Sequence, residues 1–365
     1  MTLPRSSYVN DDEVGVFHCY SRCVRRAFLC GFDPVTGRDY SHRKAWFVNQ
    51  LQHLAGIFAI EVCAYAILEN HDHTILRTRP DIVATWSDRE VAARWLTLFP
   101  VKTRKKNKAQ TPIEEQISAL CSNTERIAVL RKRLSSLSWF MGRLHESIAR
   151  AANKEDKVKG RFWESRFKCI PLLDVAAIVA CMVYVDLNPL RAGLAATPEE
   201  SDFTSIQERI RAWHNQMTAQ NSAAGEDTRS SAETTGVSSF VPGQCAEDSS
   251  AMTDEWLCPI QSTPERRGIL HMTEVEYFNL VDMSGRIVRL DKRGAIDTNL
   301  APILLRIGLN PDAWQDTVSR FASRFHLAAG QIDSLRTFAT KTGRRWIAGL
   351  SAARVAFASS SPHSV

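Results

Sequence analysis

Long hydrophobic runs are missing from this 365-residue chain. Nothing approaches the roughly 18 consecutive apolar residues that a membrane-spanning helix needs, so no membrane partner is expected. The opening residues, MTLPRSSYVNDDEVG, hold no apolar core of the kind a secretory signal requires, which predicts a cytoplasmic protein. No C-x-x-C pair occurs. The nine cysteines, at 19, 23, 30, 63, 121, 169, 181, 245 and 258, are odd in number and scattered. That pattern argues against a disulfide framework and a structural zinc site, and suits a reducing compartment. Cys19, Cys23 and Cys30 form the only tight group and read as small core residues. No internal repeat is visible, and the formal net charge is a modest +6.

What is present is a globular composition, 44% apolar and 24% charged, in a chain long enough for two domains. The positive charge is unevenly spread. Between Arg126 and Cys169 there are twelve Lys or Arg against four Asp or Glu, and Val101–Lys108 holds five basic residues and no acid. Local fields of this sign favour a polyanion such as nucleic acid. The bland alternative is a solvated helix face and a basic loop.

Periodicity gives the element order. Val14–Arg22 alternates as a strand. Arg43–Ile57 places Trp46, Phe47, Leu51, Leu54 and Ile57 on one helical face. Ile60–Leu68 reads as a buried strand with a hairpin partner at His71–Arg77, ended by Pro80. Asp81–Phe99 and about 114–153 read as helical, the latter broken near Ser135–Ser138. Asp174 is an expected N-cap for a helix over Ala176–Leu187 that is apolar almost all round. Phe203–Met217 is a further helix. Residues 218–254 are poor in apolar residues and read as a disordered linker. Beyond it, 255–365 regains a mostly helical globular pattern, with helices expected over Leu300–Leu309, Pro311–His326 and Gln331–Phe338 and a strand at Arg286–Leu290.

Asn70-His71-Asp72-His73 follows the apolar strand. In an extended chain the period of two puts both imidazoles on one sheet face, about 6.5–7 Å apart, with Asp72 on the other. Alone, the pair is weak evidence for a metal site. Tyr184, on the buried helix, has Asn188 four residues later on the same face. Taken alone this pair is a core tyrosine and a helix cap.

In combination these residues are less easily set aside. Asn-His-x-His after a strand resembles the metal motif of the HUH single-strand nucleases. Gly160–Lys168 (GRFWESRFK) and Tyr184–Leu194 (YVDLNPLRAGL) resemble segments of IS200-like transposases, most of all the REP-associated tyrosine transposases. Tyr20-Ser21-Arg22 and Asp202-Phe203-Thr204-Ser205 fall where that family has similar motifs. The likeness spans about residues 13–210, with an insertion around 81–135.

The resemblance implies an α+β, ferredoxin-like sandwich with a central antiparallel sheet over 1–217. It implies that His71 and His73 hold Mg²⁺ or Mn²⁺, with Asn188 as third ligand or as a helix cap, and that Tyr184 is the nucleophile. The substrate would be single-stranded hairpin DNA, cleaved and rejoined through a 5′-phosphotyrosine. Arg161, Trp163, Arg166, Lys168 and Arg191 would contact the DNA. Phe162, Trp163 and Phe167 could stack on bases, or Phe162 and Trp163 could anchor the core. Family members act as monomers or as homodimers, and a nucleoid-associated location follows from the substrate. The competing readings are a catalytically silent DNA- or RNA-binding regulator on the same fold and a phosphodiesterase that uses water.

Overall fold

The computed structural model describes residues 5–24, 27–100, 114–225, 256–288, 321–325 and 327–356. Alternation in Gly15–Arg22 produces strand β1, with Phe17 and Cys19 turned to one apolar cluster and Val16 and Tyr20 to another. A two-residue hairpin, β2 (Phe32–Asp33) and β3 (Arg38–Asp39), leads into helix α1 (His42–Ala55). Strands β4 (Ile60–Ile67) and β5 (His71–Thr78) follow as an antiparallel hairpin. Helices α2 (Pro80–Thr85), α3 (Asp88–Leu98), α4 (Glu114–Cys121), α5 (Thr124–Leu134) and α6 (Leu137–Glu155) come before strand β6 (Lys168–Leu172).

The four long strands form one antiparallel sheet in the order β4-β5-β1-β6. The molecule is therefore an α+β protein. One face is covered by α1, α3, α5 and α6, which bury Phe47, Leu51, Leu54, Trp95, Leu130, Phe140 and Leu144 against Phe17 and Leu76. Helix α7 (Val175–Asp186) crosses the other face. It is capped as its sequence predicts: Asp174 Oδ1 accepts from Ala177 N at 2.9 Å.

A helix apolar almost all round needs cover on both sides, and the C-terminal segment supplies the second. Helices α8 (Asn188–Arg191), α9 (Ser205–Gly225), α10 (Glu274–Val288), α11 (Phe321–Arg324), α12 (Ile332–Lys341) and α13 (Leu350–Ala356) follow among the described residues. Tyr277, Leu280, Phe321, Phe325 and Leu335 share one buried cluster with Met182 of α7 and with Ile75 and Ile170 of the sheet. The approach of α10 is close: a Cβ on Gly285 would stand 3.2 Å from Leu187 Cδ2. Arg77 and Arg209 add polar ties, Arg77 donating to the Gly268 carbonyl at 2.8 Å and Arg209 to the Cys63 and Cys258 carbonyls at 2.9 and 2.7 Å.

Several expectations need correction. The strand expected at Arg286–Leu290 is helical through Val288, the end of α10; its last two residues lie outside the described ones. Residues 218–225, expected in the linker, continue α9, while 226–254 lie outside the described residues. So do the basic run Val101–Lys108, the helix expected at Leu300–Leu309 and most of Pro311–His326. Among the described residues no helix is long and apolar enough to cross a membrane.

Candidate functional site

Register brings the singled-out residues together. In the β1–β5 ladder Tyr20 pairs with His73 and Arg22 with His71. The side chains of His18, Tyr20, His71 and His73 gather on the face crossed by α7. The His71 and His73 rings stand 5.1 Å apart and nearly perpendicular. Tyr184 descends from α7 with its ring edge-on to His73, at 5.6 Å between centroids. Half-buried Tyr184 is also stacked by Phe321 at 5.8 Å. Two residues of this cluster went unrecognised in the sequence, His18 and Phe321. His18 shares the parity of Tyr20 along β1, a signal that means nothing until the register is known.

Burial sets the protonation of the histidines. It lowers the pKa of His18 to about 3 and that of His71 to about 4, the latter helped by Arg22, and pushes His73 well below the usual range. All three are neutral at pH 7. His71 Nδ1 lies 2.7 Å from Asn70 Oδ1, which can only accept, so Nδ1 carries the proton and Nε2 keeps its lone pair. His73 Nδ1 lies 2.9 Å from His18 Nε2. When His73 Nδ1 donates there, His73 Nε2 is also a free lone pair. Two imidazole nitrogens thus suit a divalent ion. Among the described residues no group of three or more His, Cys, Asp or Glu side chains converges on such a point.

Asn188, expected as a further ligand or a cap, lies against the tyrosine: its Nδ2 donates to the Tyr184 carbonyl at 3.4 Å. Burial raises the pKa of the Tyr184 hydroxyl, while a side-chain hydrogen bond from Asn188 and the charges of Arg191 and Arg22 oppose that rise. The Arg191 guanidinium carbon sits 5.2 Å from the centroid of the Tyr184 ring.

The basic segment divides in two. Arg161, Arg166 and Lys168 are exposed, and Lys168 Nζ reaches over the Tyr20 ring at 5.6 Å. Phe162 and Phe167 are buried at 3% and 8% exposure, which removes them as stacking platforms and makes them core anchors. Trp163 is half-buried. It packs on His145 at 4.6 Å and donates Nε1–H to the His145 carbonyl at 3.0 Å, so its contacts are those of a structural residue. Upstream basic residues are partly neutralised, Arg131 by Asp88 and Arg143 and Arg150 by Glu146. Asp72 does face away from the histidine pair, as expected, but into protein: it is buried with Oδ2 3.4 Å from His145 Nε2. A cleft of about 980 Å³ is lined by Tyr8, Gly15, Asp174 and Phe338 and includes neither histidine of the pair nor Tyr184.

No family model matches the chain. No curated protein matches it either. Among solved structures, it is similar to a REP-associated tyrosine transposase bound to a REP hairpin, at 11% identity, a TM-score of 0.30, and coverage of 58% of this chain and 86% of that one.

Proposed function

We propose that this protein cleaves and rejoins single-stranded DNA, with Tyr184 as nucleophile beside the His71–His73 pair. The observation that carries this is the Tyr184 ring edge-on to His73, 5.6 Å away, joining residues of α7 and β5 that are far apart in the chain. The order of motifs along the sequence supports the same reading, as does the strand order β4-β5-β1-β6, which suits a ferredoxin-like sheet of the HUH type.

In the proposed reaction the Tyr184 hydroxyl oxygen attacks a backbone phosphorus. A bond from that oxygen to phosphorus forms as the bond from phosphorus to the 3′ oxygen breaks. The phenolic proton is lost and the departing 3′ oxygen takes one up. The product is a 5′-phosphotyrosine, and a second 3′-hydroxyl can reverse the step at a new junction without an external energy source. Nε2 of His71 and Nε2 of His73 would hold a divalent ion, Mg²⁺ or Mn²⁺, which when bound neutralises phosphate charge. With two imidazoles as protein ligands, open positions remain for water and phosphate oxygens. Lys168, Arg161 and Arg166 are exposed on the approach and suit phosphates of the flanking strand.

A labelled hairpin oligonucleotide incubated with the protein and Mn²⁺ or Mg²⁺, then run on a denaturing gel, tests the proposal. A covalent protein–DNA band that vanishes in Tyr184→Phe, with DNA binding retained, is the expected result. Cleavage without a covalent band assigns a hydrolase, and binding without cleavage a regulator; either refutes the proposal.

A further inference from the structure

Arg191 is half-buried, but its guanidinium is withdrawn from water in an unusual way. Its Nε, Nη1 and Nη2 are all shielded from solvent, and none has a hydrogen-bond partner among the described residues. Arg143, Arg209 and Arg344 each leave only Nε shielded without a partner, and Arg43 and Arg77 are well bonded. Arg43 donates to Glu155, Asp156 and the Leu29 carbonyl. Arg77 donates to Glu61 and to the carbonyls of Gly268 and Arg267. A guanidinium has five N–H donors, and withdrawing all of them from water without acceptors is strongly unfavourable. Such an arrangement is understandable when an anion completes it. The planar fork fits two oxygens of one tetrahedral phosphate better than it fits an extended run of charge.

The position of Arg191 identifies the phosphate. Its backbone is fixed on α8, one helix after the one bearing Tyr184, with Arg191 N bonded to the Leu187 carbonyl at 3.0 Å. The guanidinium lies over the Tyr184 ring. We infer that Arg191 is a preformed seat for the non-bridging oxygens of the phosphodiester that Tyr184 attacks. This rests on the proposed role of Tyr184. Arg191 keeps its protons throughout: it donates hydrogen bonds to the phosphate while the bond changes occur at phosphorus. Its function thus differs from that of exposed Arg161, Arg166 and Lys168, which suit the flanking strand.

Inorganic phosphate is the probe, read by thermal denaturation of the full chain and compared between variants because phosphate as a salt stabilises any protein somewhat. Wild type and Tyr184→Phe should gain more stability from phosphate than Arg191→Gln does, with Arg191→Lys between them. Without phosphate, Arg191→Gln should melt at or above the wild-type temperature, because an unpaired buried charge has been removed. Its adduct formation should fall by about 10²–10³-fold, as for other lost oxyanion donors. Equal phosphate protection of wild type and Arg191→Gln overturns the seat. So does an Arg191→Gln protein that melts well below wild type in the absence of phosphate, which marks a structural arginine. An Arg191→Gln protein that forms adduct at the wild-type rate overturns the seat and leaves Tyr184 as nucleophile. Arg191-dependent phosphate protection without any wild-type adduct supports the seat and refutes the role of Tyr184.

Discussion

Asp186 shows how one side chain joins the site to the rest of the protein. It lies two residues after Tyr184, fully buried, and its carboxylate accepts from Ser205 Oγ at 2.6 Å, Ile206 N at 3.2 Å and Tyr277 Oη at 2.5 Å. Those donors and nearby Arg209 favour the charged form, yet burial outweighs them and raises the pKa to about 6. The native carboxyl therefore holds its proton in a pH range where the unfolded chain has released it. Stability from this group is full below about pH 4 and is lost as pH rises through about 6. Relative to Asp186→Asn, wild-type stability should fall by about 2 kcal/mol between pH 4 and 6.5 in urea titrations. A flat difference across that range would contradict the assignment. Nothing in the sequence announced this role, because the partners of Asp186 sit on α9 and α10.

Elements were more legible than residues, because a period of two or of 3.6 is visible locally while a contact is not. The strand read over Ile60–Leu68 is β4, and the hairpin partner beginning at His71 is β5. The break expected near Ser135–Ser138 separates α5 from α6. The limits of β6 were hidden: Pro171 interrupts any strand pattern, and it is tolerated because β6 lies at the end of the sheet, paired with β1 alone in that sheet. The faces shared by His18 with Tyr20 and by Arg191 with Tyr184 depend on register and helix packing, which no local pattern encodes. The cap of α7 was legible, and it also accepts from a distant residue, Gln331 N, at 2.5 Å. Asp174→Ala should lower stability by at least the usual 1–2 kcal/mol of a lost cap, about 2 kcal/mol here, measured by chemical denaturation. A loss under about 0.5 kcal/mol would show that the cap is not needed.

At the scale of the molecule, the tyrosine helix lies between the sheet and the C-terminal helices. Val183 and Val185 of α7 are fully buried within the same cluster as Tyr277, Leu280 and Phe325. The segment beyond 255 is thus part of the wall that holds Tyr184, through Phe321. Co-expressed as two pieces, 1–225 and 256–365, the chain should co-purify as a one-to-one complex. Independent elution of the two pieces in size-exclusion chromatography would contradict the shared core. Truncation at 225 should also expose much of α7 and promote aggregation, an outcome that follows from its apolar character.

The point at which the DNA becomes attached tests the role of Tyr184 most directly. After reaction with a hairpin strand and Mn²⁺, nuclease and protease digestion followed by mass spectrometry should find a 5′-linked nucleotide remnant on the peptide containing Tyr184. A remnant on Tyr20, whose ring lies 5.7 Å from His73, or on any other residue, would contradict it.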